Sequence, residues 1–241
     1  PRRLTAMLAF AIALLTPFVI ARDMLAVDLQ PAIIVTWVVC LTLFVLSDML
    51  AGPVEQGLWA GYLYVALAVA WLLMGPGLAL LLILAGAALT VLLRRLPAVL
   101  RLIDAPSVAD TLWQAQARIG ILGLTLLLMS VIQTLLSGYH PHSPVEFATF
   151  GGLTSVVPAL VAGLALTQVL GMVLSGPEAV RRTLWQPSER RRIAGEVLLL
   201  LVIVPLAVIH QRAGWIVFAV LMGLVASQAI RYRKIARTQD E

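Results

Sequence analysis

The sequence predicts an all-α fold, a polytopic bundle of about eight transmembrane helices, and three observations lead to it. The 241 residues are 61% hydrophobic, with a mean hydropathy of +0.99. Only 12% of them are charged, whereas about a quarter are charged in soluble globular proteins. The apolar residues form continuous runs close to the ~20 residues that cross a bilayer. Because no connection is long enough to fold separately, we expect a single transmembrane domain over 1–241.

The first four runs precede residue 94. The first contains Pro17, and the second begins with Pro31, which the first turn of a helix tolerates because its N–H has no helical partner there. The apolar stretch 57–93 is too long for one crossing, and the Gly-Pro-Gly sequence at 75–77 divides it into a tight helical hairpin. The predicted spans are about 4–21, 31–48, 57–74 and 77–93.

The remaining runs predict four more spans. None shows the alternation of polar and apolar residues that a barrel strand requires, and an isolated strand would leave backbone groups unpaired in lipid. Helix is therefore the expected conformation throughout. These spans are about 119–136, 151–174, 193–209 and 213–230.

The distribution of positive charge predicts the orientation. With eight spans and both termini inside, 15 of the 17 Lys and Arg residues fall on the inner side, and only Arg22 and Arg212 fall outside. This is the positive-inside bias of membrane proteins, and it accounts for the net charge of +5 without a nucleic-acid partner. Arg outnumbers Lys by sixteen to one and Asn is absent, as in GC-rich coding sequences. We expect a bacterial plasma (inner) membrane protein.

Two inner connections contain predicted interfacial helices, at about 107–118 and 177–185. The first begins with the capping pattern Ser107-x-x-Asp110 and runs directly into the fifth span. The second begins at Pro177 and carries a basic, tryptophan-containing surface suited to docking a partner or anionic lipid. A purely topogenic role for its arginines is the equal alternative. The residues of this predicted docking surface are Arg181, Arg182, Trp185, Arg190, Arg191 and Arg192.

Polar side chains are sparse at membrane depth. No carboxylate, Lys or Arg falls at the middle of a predicted span, which argues against an ion-coupled carrier. Gln133 and Gln168, in the fifth and sixth spans, are candidates for a polar path through the bundle. The competing interpretation is hydrogen bonding between helices, the common role of such residues in membranes.

Three histidines map to the predicted outer side. His140 and His142 flank Pro141, and His210 ends the seventh span. Three imidazoles suffice to bind a divalent metal such as zinc, or to respond to outer pH, and these are the hypotheses for this set. The alternative is three unconnected surface histidines. No other cofactor is predicted, and the single cysteine, Cys40, excludes an intramolecular disulfide.

The sequence contains no phosphate-binding loop, no His-Glu-x-x-His and no Gly-x-Ser-x-Gly, so an enzyme is not the favoured class. The leading hypothesis is a non-enzymatic membrane subunit or permease-like component of a multi-protein assembly. Its basic inner face would dock a cytoplasmic partner or anionic lipid. One alternative is the membrane sensor or anchor of a signalling protein, supported by the charged segment 231–241. Another is a small transporter of an apolar or lipid-like substrate.

Overall fold

The computed structural model describes residues 2–24, 31–50, 61–95, 108–137 and 150–175, together with residue 223. These segments are helical and include no strand, which confirms the all-α prediction for this part of the chain. The helices are α1 (Arg2–Met24), α2 (Pro31–Leu50), α3 (Gly61–Leu93), α4 (Val108–Ser137) and α5 (Phe150–Ser175).

Three helical stretches in the described segments are long and apolar enough to cross a membrane: Leu63–Leu93, Asp110–Ser137 and Thr154–Leu174. Two shorter apolar stretches are Thr5–Ala21 and Ile33–Leu46. Length and composition therefore indicate a membrane protein, but they do not support the count of eight spans. Both 193–209 and 213–230 lie outside the described residues, apart from Gly223. The predicted interfacial helix 177–185 also lies outside them, whereas 108–118 forms the first part of the continuous helix α4.

The helix α3 is broken at Gly75, whose backbone has φ 80° and ψ 172° and is followed by Pro76. Arg94, just after α3, contacts Gln114 on α4, whereas Tyr64 contacts Met129. A continuous α3 would place Tyr64 about 45 Å from Arg94, yet only about 22 Å of α4 separate Gln114 from Met129. The helix therefore bends at Gly75, where the Gly-Pro-Gly sequence predicts an interruption, and the hairpin arrangement of its two halves stays a prediction.

The first half of α3 lies at the centre of the described bundle. Every residue from Leu63 to Leu72 is buried, which is typical of a helix that is apolar on all sides and surrounded by others. Tyr64 donates a hydrogen bond of 2.5 Å to the backbone oxygen of Leu160 on α5. Trp71 donates one of 3.1 Å to Ser130 Oγ on α4. These two bonds attach the central half-helix to both α4 and α5.

The second half of α3 runs parallel to α2. Trp37 Nε1 donates to the backbone oxygen of Leu78 at 3.1 Å, near the start of this half-helix. Further along both helices, Gly86 faces the ring of Phe44 so closely that a Cβ atom there would overlap the ring.

Glycine contacts and hydroxyl pairs fix the directions of α1 and α5 relative to α4. A Cβ atom at Gly123 on α4 would lie 2.7 Å from Ile12 Cγ2, and one at Gly120 would lie 3.1 Å from Leu8 Cβ, so α1 and α4 run parallel. The hydroxyls of Thr125 and Thr167 lie 2.9 Å apart. Nearer the end of α4, Met129 faces Gly163, so α4 and α5 are antiparallel.

These directions gather five helix ends on one side of the bundle: the starts of α1 and α4 and the ends of α2, α3 and α5. We call this side the Arg118 end, after the residue on α4 that lies there. The opposite side contains the break at Gly75.

The first prediction concerns this break. Replacing Gly75 with Ala should lower the free energy of unfolding by about 1–3 kcal/mol, because a side chain is strained at this φ and ψ. Gly77→Ala is the matched control, since Gly77 lies in the helical second half of α3 and its φ is not positive. Unfolding in mixed detergent micelles measures both variants. Equal effects of the two substitutions would contradict the assigned role of Gly75.

Candidate functional site: a buried charged cluster

Four polar side chains meet at the Arg118 end of the bundle. Asp48 lies near the end of α2, Arg94 follows the last residue of α3, and Gln114 and Arg118 lie one turn apart on the same face of α4. All four side chains are buried. We call this group the charged cluster.

The central contact is the ion pair between Asp48 Oδ1 and Arg118 Nη1, whose side chains are each 2% exposed. Removing both charges from water is costly, and only close pairing offsets that cost. The pair therefore joins α2 to α4 at a defined rotation of each helix. One turn earlier, Gln114 presents its amide on the same face of α4.

Arg94 joins α3 to the other two helices through neutral oxygens. Its Nη2 donates to the backbone oxygen of Asp48 at 2.9 Å, and its Nη1 donates to Gln114 Oε1 at 3.3 Å. Burial lowers the pKa of the Arg94 guanidinium from its ordinary value, because the charged form loses hydration. An arginine side chain nevertheless keeps its proton in proteins, so Arg94 is a buried positive charge.

Two donors beside these contacts have no hydrogen-bond partner in the described part of the chain. They are Arg94 Nε and Thr90 Oγ1, and the two residues lie one turn apart on one face of α3. Arg94 is 7% exposed and Thr90 2% exposed. The cluster thus has donors in excess of acceptors on its α3 side.

The cluster resembles a structural and electrostatic site more than a reaction centre. Its members include one carboxylate, two guanidinium groups and an amide, with no nucleophile beside a base. Over the described segments, no three His, Cys, Asp or Glu side chains lie close enough together to hold a metal ion. Cys40 precedes Asp48 on α2 and is buried within the apolar core.

Most of the predicted site residues lie outside the described residues. These are the three histidines and the whole predicted docking surface, so both hypotheses stay predictions: His140, His142, His210, Arg181, Arg182, Trp185, Arg190, Arg191 and Arg192.

Gln133 and Gln168 are both buried, on α4 and α5 respectively. The contact between Thr125 and Thr167 sets the two helices in register and places the glutamines at different depths, about 14 Å apart along the bundle. Between them, Thr167 Oγ1 donates to the backbone oxygen of Gly163 at 2.9 Å. The hydroxyls therefore bond within and between helices, and the polar path through the glutamines stays a prediction.

Sequence analysis alone did not identify the charged cluster. The predicted second span ends at residue 48, and Arg94 and Arg118 are two of the 15 Lys and Arg residues on the predicted inner side. Two signals were available: Asp48 is the one carboxylate within its apolar run, and Arg118 stands at the start of another. A cation and an anion that both border apolar runs on the same predicted side are candidates for a buried pair.

For the described residues, the fold and the cluster together define the class of protein: an all-α bundle with helices suited to a membrane and a buried ion pair at one end. Comparison with protein-family models, curated proteins and solved structures gave no match for this chain.

The second prediction tests the ion pair by a double-mutant cycle. Asp48→Asn should destabilise the protein by about 3–5 kcal/mol, because it leaves Arg118 buried without its counter-charge. The double variant Asp48→Leu, Arg118→Leu should be less destabilised than either of its component single variants, since an apolar pair leaves no buried charge. Unfolding in mixed micelles gives the coupling energy. Arg94 retains its contact with residue 48 throughout, because that contact is with the backbone. If the losses of stability in the single variants Asp48→Leu and Arg118→Leu add up to the loss in the double variant, the pairing is excluded.

Proposed function

We propose that this chain is a non-enzymatic integral membrane subunit, a permease-like component of a multi-protein assembly. Its basic inner face docks a cytoplasmic protein partner. The bundle serves as the rigid support for that face, and the charged cluster holds the inner ends of α2, α3 and α4 together.

One observation carries this proposal. The ends of α3 and α5 and the start of α4 all lie at the Arg118 end, so the chain segments 94–118 and 175–192 both begin at that end of the bundle. These two segments contain nine of the 17 Lys and Arg residues. Their common starting point supports the proposal of one continuous basic surface, and such a surface favours an acidic partner.

The finer topology that we propose has eight spans, with both termini in the cytoplasm of a bacterial cell. In this topology α1, α2, each half of α3, α4 and α5 are the first six crossings. The segments 193–209 and 213–230 provide the last two. The Arg118 end then faces the cytoplasm, in agreement with the positive-inside bias.

The third prediction tests docking. Replacing Arg181 and Arg182 with Gln should abolish co-purification of the partner in mild detergent, while insertion and abundance stay unchanged, because Arg190–Arg192 still enforce the orientation. Arg233→Gln with Arg237→Gln is the matched control, since it removes the same charge from the same proposed side. Retention of the partner by the Arg181 and Arg182 variant at moderate salt would contradict docking through these residues.

The fourth prediction tests the topology by cysteine labelling. In a Cys40→Ala background, a cysteine at Ser188 should resist a membrane-impermeant maleimide applied to intact cells, whereas one at Ser143 should react. Both should react once the cells are permeabilised. Labelling of the Ser188 position from outside would overturn the proposed orientation.

A further inference from the structure

The starting observation is an uncompensated positive charge at Arg94. This side chain is 7% exposed, and its hydrogen bonds go to a backbone oxygen and an amide oxygen, both neutral. The carboxylate of Asp48 is paired with Arg118 instead. A buried cation held only by neutral groups is unfavourable, because neutral dipoles do not replace the hydration and counter-charge that it loses.

The orphaned donors show where a compensating group would bind. Arg94 Nε and Thr90 Oγ1 have no partner in the described residues, and both belong to the α3 side of the cluster. A water molecule would satisfy the two donors but would bring no charge. A phosphate oxygen both accepts hydrogen bonds from these donors and brings negative charge. The planar guanidinium of arginine is also well suited to binding phosphate.

The position of the site indicates which kind of molecule supplies the phosphate group. Thr90 and Arg94 lie where α3 ends, beside the end of α2 and the start of α4. Basic pockets between helices on the cytoplasmic side of a membrane bind anionic headgroups. On the opposite face of the same part of α3, Leu89 and Leu92 are exposed apolar side chains suited to contact with lipid.

We propose that the site formed by Thr90 and Arg94 binds the phosphate of an anionic phospholipid from the inner leaflet. The phosphate oxygens accept hydrogen bonds from Arg94 Nε and Thr90 Oγ1, and the negative charge neutralises Arg94. The proposal rests on the cytoplasmic orientation of the Arg118 end but not on partner docking, which depends on other arginines.

The experiment compares two adjacent arginines. Arg95 is exposed, so Arg94→Gln and Arg95→Gln remove the same charge at neighbouring positions with different burial. Each protein is purified in mild detergent, and bound phospholipid is counted by native mass spectrometry. Phosphatidylglycerol, phosphatidylcholine or sodium phosphate is then added, and the shift in melting temperature is measured.

The wild type and Arg95→Gln should retain about one anionic phospholipid per chain and be stabilised by phosphatidylglycerol but not by phosphatidylcholine. Arg94→Gln should bind phosphatidylglycerol about tenfold more weakly, the loss expected for one charge-assisted hydrogen bond. Stabilisation of the wild type by sodium phosphate to the same extent as by phosphatidylglycerol, and its loss in Arg94→Gln, would support the phosphate site with a free anion as its occupant.

Two further variants keep the test decisive if Arg94→Gln fails to fold. Thr90→Val preserves shape and removes one orphaned donor, and Arg94→Lys preserves the charge but lacks Nε. Both should retain less phosphatidylglycerol than Arg95→Gln. Equal retention by Thr90→Val, Arg94→Lys and Arg95→Gln would overturn the proposal. A failure of partner docking would leave these lipid measurements unchanged, so the two proposals fail separately.

Discussion

The ion pair between Asp48 and Arg118 constrains the whole described bundle, because a guanidinium buried among apolar helices is tolerated only beside its counter-charge. Forming this ion pair fixes the rotation of α2 and α4 about their axes and the position along each helix at which they meet. Arg94 then attaches the end of α3 to the same point through the backbone of Asp48. Further into the bundle, the contacts are neutral and individually weaker. They determine how closely the helices pack, once the charged end has set their register.

The neutral contacts follow a different physical rule. Tryptophan and tyrosine place large apolar rings in the core, and each uses its one polar atom to bond a neighbouring helix, as Trp37 does to α3 and Tyr64 to α5. Glycines on α4 and α5 allow the close approach of α1 and of Met129. The hydroxyls of Thr16 and Thr167 bond backbone oxygens within their own helices, so they are satisfied without water.

How far the sequence predicts this structure depends on the range of each interaction. The helix starting at Pro31 and the break at Gly75 are local features, because the length of an apolar run and its interruption by Gly-Pro are both read directly from the sequence. The continuous helix over residues 108–137 was likewise expected. That Arg94 and Arg118 lie at the same end of the bundle was predictable too, because the positive-inside bias acts on each residue separately. Their pairing with Asp48 was not, since it depends on how helices distant in sequence rotate and cross. The predicted histidine and arginine sites stay predictions.

The break at Gly75 also affects how the chain enters a membrane. From Gln56 to Leu93 the sequence contains no Asp, Glu, Lys or Arg, so the whole of α3 and its turn are uncharged. In the hairpin that the sequence predicts, the two half-helices would insert together with the Gly-Pro turn leading. No ionised side chain would then have to traverse the hydrocarbon, and the backbone polar groups would already be paired within each half. The first charge after this uncharged stretch is Arg94, which would stay at the side where the chain began.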